Sequence, residues 1–137
     1  MELSRGFKAL KVWMLLKEHG IQKYARLVRQ NLDQAQYLGQ LIADSPDLEL
    51  VADISLNIVC YRYNPGGLDE KSLNNLNREV LMQLHEQGIA VPSYTILGGR
   101  YAIRVAITNH RSNREDFDLL VRASRRLGHE LTISLKI

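Results

Sequence analysis

The sequence predicts an α+β domain: a small antiparallel sheet of about four strands, covered by helices on one face, with an apolar helix at its N-terminal end. Three observations carry this. Helix-like and strand-like segments follow the order α-α-β-β-α-β-β-α, without the one-for-one alternation of a parallel doubly wound sheet. Two strand-like runs, Ile89–Leu97 and Arg100–Thr108, are joined by Gly98-Gly99 alone, a hairpin loop whose residues both tolerate positive φ. The chain has 137 residues, 45% of them hydrophobic and 24% charged, which suits one domain with a real core.

Ser4 to Gly20 forms the first predicted helix, with Ser4 as its cap and Gly20 as its stop. Phe7, Ala9, Leu10, Val12, Trp13, Met14, Leu15 and Leu16 cover most of its circumference. Such a helix requires burial on more than one side, and a domain this small lacks the mass to wrap its own terminal helix. Ile21 to Ala43 forms a longer helix, because Ile21, Tyr24, Val28, Leu32, Ala35, Leu38 and Ile42 recur at three- and four-residue spacing. Asp44-Ser45-Pro46-Asp47 ends it. Leu48–Ala52 is a short strand and Asn57–Tyr63 a stronger one, closed by the turn residues Asn64-Pro65-Gly66-Gly67. Asp69 caps a third helix reaching Gln87, and Gly88 stops it. After the hairpin, Ser112-Asn113-Arg114-Glu115 has capping-box spacing and opens a final helix to about Leu127, with Gly128 as its stop. Leu131 to Ile137 alternates weakly, as a short strand or a disordered end.

Composition excludes several classes. There are 18 Lys+Arg against 15 Asp+Glu, a net charge of +3 that is too small and too scattered for nucleic acid. One cysteine, Cys60, rules out a disulfide framework and a multi-cysteine zinc site, and fits a reducing compartment. The longest apolar stretch, Val12–Leu16, is far short of a membrane span, and the first residues lack the features of a signal peptide. The expectation is a cytoplasmic protein with no nucleic-acid or membrane partner.

Among residues able to carry chemistry, Arg104 stands out. Period two puts Tyr101, Ile103, Val105 and Ile107 on the core side of their strand, and Arg100, Ala102, Arg104, Ala106 and Thr108 on the other. Arg104 is flanked there by two alanines, so another body can approach a guanidinium suited to gripping a carboxylate. From pattern alone the simpler reading is a solvated arginine or one paired with a neighbouring carboxylate. His19, His85, His110 and His129 lack metal-ligand spacing and read as surface residues. Cys60 reads as a small core residue. Ser93-Tyr94-Thr95 offers three strand hydroxyls with no assigned role.

Three segments together resemble the group II pyridoxal-phosphate-dependent amino acid decarboxylases. Leu3-Ser4-Arg5-Gly6-Phe7-Lys8-Ala9-Leu10-Lys11-Val12-Trp13 is similar to the segment opening their C-terminal part. Asn57-Ile58-Val59-Cys60-Tyr61-Arg62-Tyr63 is similar to the strand that follows. Tyr101 to Asn109, and the helix through Asp116 and Asp118 to Arg126-Leu127-Gly128, resemble the closing strand and helix. The resemblance implies the small C-terminal domain of a fold-type I enzyme, with residues 1–20 as a junction helix, 21–131 as the domain and 132–137 as a tail. It implies decarboxylation of an L-amino acid with pyridoxal phosphate as electron sink, in a homodimer. By the same resemblance Arg104 binds the substrate α-carboxylate, and Arg5 ties two domains together or lies near the cofactor.

The family's Schiff-base lysine follows a histidine, and the lysines here, 8, 11, 17, 23, 71 and 136, include no such pair. The family's cofactor-stacking histidine, pyridinium-pairing aspartate and phosphate loop are missing as well. The expectation is therefore a C-terminal fragment, inactive alone, partnered by an upstream cofactor-binding domain and contributing no cofactor-binding or catalytic residue of its own. Such a fragment also accounts for the apolar first helix, which would pack on that domain or on the dimer partner. The alternatives are a free-standing binding or assembly module that kept the fold and lost the chemistry, and a small ferredoxin-like regulatory domain.

Overall fold

The computed structural model describes residues 6–134. Its elements are α1 (Lys8–His19), α2 (Ile21–Ala43), β1 (Leu48–Leu50), β2 (Ile58–Tyr63), α3 (Glu70–Glu86), β3 (Ser93–Leu97), β4 (Arg100–Ala106) and α4 (Arg114–Ser134). The order is the predicted one. The strands form one antiparallel sheet in the order β1-β2-β4-β3. The β3–β4 hairpin turns on Gly98 and Gly99, with φ of 56° and 82°.

Side-chain alternation separates the two faces of the sheet. Val59, Tyr61, Tyr63, Tyr101, Ile103 and Ile107 point inward and pack under α2, α3 and α4 against Leu38, Ile42, Leu76, Leu84, Phe117 and Leu127. The outer face carries Glu49, Cys60, Arg62, Ser93, Arg100, Ala102 and Arg104. Arg62 is buried there and bridges the carboxylates of Glu49 and Glu70. Burial alone would raise the Glu49 carboxyl, but hydrogen bonds from Asn64 and Arg62 hold it below its usual value.

Asn77 is fully buried at the α3–β2 contact. It accepts from the Tyr63 N–H (2.7 Å) and donates to the carbonyls of Tyr63 (2.8 Å) and Leu73 (2.9 Å). The β2–β4 register stops at Tyr61↔Ile103, so on the β4 side the Asn77 amide takes the place of a strand partner for Tyr63, which pairs with Leu48 of β1 on the other.

Three local expectations need correction. First, the box at the start of α4 sits one residue later than the motif suggests: Asn113 Oδ1 accepts from the Asp116 N–H (3.2 Å) and Asp116 Oδ2 from the Asn113 N–H (3.0 Å). Second, Gly128 does not stop the helix, which runs on to Ser134, so Leu131–Ser134 is helical and neither strand nor disordered; residues 135–137 lie outside the described ones. A Cβ on Gly128 would overlap the Tyr63 ring, 2.6 Å from both Cδ atoms, so the glycine lets α4 lie close on β2. Third, Ile89–Pro92 is a loop rather than the start of a strand, held by Ile89 N–H to Leu84 O (3.0 Å) and His85 Nε2 to Pro92 O (2.8 Å).

α1 buries none of its residues. Phe7, Val12, Trp13 and Met14 are all more than half exposed, and so are Ile21 and Val28 in the first half of α2. Burial on α2 begins at Gln34.

Candidate functional site

The outer face of the sheet positions Arg104 through strand register. Cys60 of β2 pairs with Arg104 of β4, and Arg104 pairs with Ser93 of β3, so the three side chains form one row. Arg104 is half-buried as a residue, and its Nη1 donates to Ser93 Oγ at 3.4 Å in an exposed contact. Ser93 Oγ in turn donates to the Arg104 carbonyl at 3.2 Å. Among the described residues no carboxylate lies within ion-pair distance of Arg104, whereas Arg62, two residues from Cys60 on the same face, holds two.

The alanines that flank Arg104 differ. Ala102 is fully buried, and on that side Arg100 reaches across β2 to donate to the Val51 carbonyl at 3.1 Å. Ala106 is exposed. The approach to Arg104 is therefore from the Ala106 side. A cleft of about 370 Å³ opens there, lined by Pro92, Ser93, Arg104, Ala106, Asp116 and Phe117 among others. Asp116 Oδ2 accepts in the α4 cap, and Arg104 is the one cationic side chain among the described residues lining a cleft of mixed polar and apolar character. A planar, permanently charged fork in such a place suits a carboxylate bound by two parallel hydrogen bonds.

Cys60 is not a core residue: it lies half-buried on the outer face beside Arg104. Burial pushes its thiol up, and the Arg104 charge works against that rise. Its position was legible in the alternation, since Val59 and Tyr61 on either side are both core residues. Ser93 is the strand hydroxyl that meets Arg104, which needs the hairpin register and cannot be read from spacing. Arg5 lies outside the described residues. Lys8, Lys11, Lys17, Lys23 and Lys71 are exposed and none lines the cleft, and Lys136 lies outside the described residues. No group of histidine, cysteine and carboxylate residues among those described is placed to hold a metal. No helix among the described residues is long and apolar enough to cross a membrane.

Comparison with known proteins places this geometry in context. The pyridoxal-dependent decarboxylase conserved domain matches residues 1–64. Tyrosine decarboxylase 3 of Petroselinum crispum is 35% identical over 109 residues, 77% of this chain and 21% of that protein. The aromatic-L-amino-acid decarboxylase of Bacillus atrophaeus is 29% identical over 135 residues, 98% of this chain and 28% of that protein. Among solved structures, the glutamate decarboxylase domain of the Vibrio parahaemolyticus diaminobutyrate-pyruvate transaminase and L-2,4-diaminobutyrate decarboxylase is similar with a TM-score of 0.79 and 28% identity. That match covers 92% of this chain and 27% of the other. Oryza sativa TDC with PLP and tryptamine shows the same fold, with a TM-score of 0.86 at 22% identity over 96% of this chain and 28% of the other. The chain thus spans between 21% and 28% of the length of these relatives.

Proposed function

The chain belongs to the group II pyridoxal-phosphate-dependent amino acid decarboxylase family, and from that premise we propose that it is the C-terminal part of such an enzyme and supplies the arginine that holds the substrate α-carboxylate. The observation that carries this reading is Arg104: a half-buried residue on the outer face of the sheet with no ion-pair partner among the described residues, beside a cleft open on the Ala106 side.

On this reading the described residues build no cofactor site of their own. None of their lysines lines the cleft, and the family's His-Lys pair does not occur in the sequence. On this reading the Schiff-base lysine and the phosphate loop come from a cofactor-binding part of the enzyme, and the unit is a cytoplasmic homodimer in which Arg5 ties the two parts together. When bound there, pyridoxal phosphate supplies the electron sink for decarboxylation. The work of this chain is orientation. Arg104 fixes the carboxylate so that the bond to be broken is presented in one direction. The grip has to be moderate, because a pairing that stabilises the charged ground state more than the transition state slows the loss of carbon dioxide. The relatives named for tyrosine and aromatic amino acids favour an aromatic L-amino acid as substrate. The exposed Phe7–Leu16 face is then the surface that the cofactor-binding part or the second subunit covers.

A second reading, a free-standing assembly module that kept the fold without the chemistry, has the placement of the lysines in its favour. Titration with pyridoxal phosphate, borohydride reduction and intact-mass analysis tests the first reading, followed by addition of a decarboxylase cofactor-binding part in trans. The proposed function expects no stoichiometric adduct on this chain and carbon dioxide release only from the mixture. A saturable adduct on one of its lysines, or a mixture without activity at a concentration where the two parts associate, contradicts it; the second outcome favours the module.

A further inference from the structure

We propose that Ser93 is a positioning residue for Arg104, holding its guanidinium along the strand row so that it meets a carboxylate in one orientation; this rests on the carboxylate role given to Arg104 above. The two residues are register partners across β3 and β4. The Ser93 hydroxyl uses both of its capacities on the same partner: it donates to the Arg104 carbonyl (3.2 Å) and accepts from Arg104 Nη1 (3.4 Å). An arginine side chain with no carboxylate partner otherwise samples many rotamers, and the order it lacks must be supplied when substrate binds. The hydroxyl clip removes part of that freedom in advance, while the other nitrogens of the guanidinium stay free for a carboxylate.

Ser93 is itself held. It is the first residue of β3, directly after Pro92, whose ring fixes φ and whose carbonyl bonds His85 Nε2 at 2.8 Å at the end of α3. β3 is the edge strand of the sheet and Ser93 is exposed, and this bond ties the loop before it to the end of α3. Tyr94, the next hydroxyl along, belongs to the opposite side of the strand and stacks on Tyr101 with ring centroids 5.1 Å apart. Thr95 pairs with Ala102, one row away. Ser93 is thus the one hydroxyl of Ser93-Tyr94-Thr95 that the register brings to Arg104.

The test has two readouts on Ser93→Ala and Ser93→Thr. In this chain, ¹⁵N relaxation of the Arg104 Nε–H is expected to show a lower order parameter in Ser93→Ala and a retained one in Ser93→Thr. In the assembled decarboxylase, Ser93→Ala is expected to raise KM for the L-amino acid roughly three- to tenfold, the range of one weak hydrogen bond. Affinity for the product amine, which has no carboxylate, should stay near that of the parent, and Ser93→Thr should restore KM. An unchanged order parameter overturns the inference, and so does a loss of affinity shared equally by amino acid and amine. Failure of the underlying reading looks different: Arg104→Ala itself would then leave the ratio of amino acid to amine affinity unmoved.

Discussion

Gly128 and Tyr63 meet where α4 lies on β2, and the glycine has no room for a side chain: a Cβ would overlap the ring, 2.6 Å from both of its Cδ atoms. The ring is buried in the core and has nowhere to retreat. Gly128→Ala should therefore destabilise the fold by about 1–3 kcal/mol, even though alanine is the better helix former by up to about 1 kcal/mol. Gly39→Ala is the control. A Cβ there meets the Cδ1 end of the Ile54 side chain and approaches its Cγ1 at 3.3 Å, and this partly exposed chain can rotate aside, so its effect should be smaller. Urea unfolding of the two variants measures the difference.

Asn77 stands in for a β4 neighbour of Tyr63, and its loss leaves a buried N–H and a buried carbonyl without partners. Asn77→Ala should cost about 2–4 kcal/mol, as buried polar groups left unpaired do. Thermal unfolding should show a correspondingly lower Tm. Hydrogen exchange at the Tyr63 amide should accelerate more than at Val59, which lies in the part of β2 paired with β4.

Alkaline pH should unfold the protein through its tyrosines. Tyr61 is fully buried, and burial pushes its phenol well above the ordinary value, only partly offset by the Ser124 hydrogen bond at 2.8 Å. Tyr37, Tyr63 and Tyr101 are raised as well. A group whose folded pKa exceeds its unfolded one holds its proton in the folded chain while the unfolded chain releases it. The stability it contributes is complete below about pH 10 and is lost as pH rises beyond that. Tyr61→Phe should flatten the fall in stability above about pH 10, at the cost of about 1 kcal/mol near neutrality for the lost hydrogen bond.

The exposed apolar helix α1 should make the chain associate. It presents Phe7, Val12, Trp13 and Met14 to solvent, and contiguous apolar surface of this kind binds apolar dyes or other protein surfaces. Sedimentation should show concentration-dependent self-association, with dye fluorescence that Trp13→Glu reduces. A clean monomer with no dye binding contradicts this. Trp13 is the sole tryptophan, so a blue shift of its emission on adding a cofactor-binding part would report α1 becoming covered.

Where alternation was strict, the sequence located side chains well. The run from Tyr101 to Ala106 assigned side chains to the two faces and put Arg104 on the outer one, but its carboxylate role came from the family resemblance and not from the alternation. The same rule, applied to Val59 and Tyr61, would have put Cys60 outside the core. What escaped the sequence depends on partners distant in the chain. Gly128 reads as a stop until Tyr63 is seen beneath it. The α4 box slips by one residue because Asn113 and Asp116 satisfy each other as well as Ser112 and Glu115 would. The contact of Ser93 with Arg104 exists only once the hairpin register is set by Gly98-Gly99. The flank at Ala102 is buried and the one at Ala106 exposed, and Arg100 crosses the sheet to Val51 on the Ala102 side, none of which a local pattern announces.

The most direct test of the account is steady-state kinetics of Arg104→Ala in the assembled decarboxylase, with binding of both the L-amino acid and its amine measured alongside. The account predicts a loss of about 2–4 kcal/mol in kcat/KM, weaker binding of the amino acid and unchanged binding of the amine, because only the carboxylate meets the guanidinium. Unchanged kcat/KM, or equal weakening for amino acid and amine, would contradict the assignment of Arg104 to the substrate carboxylate.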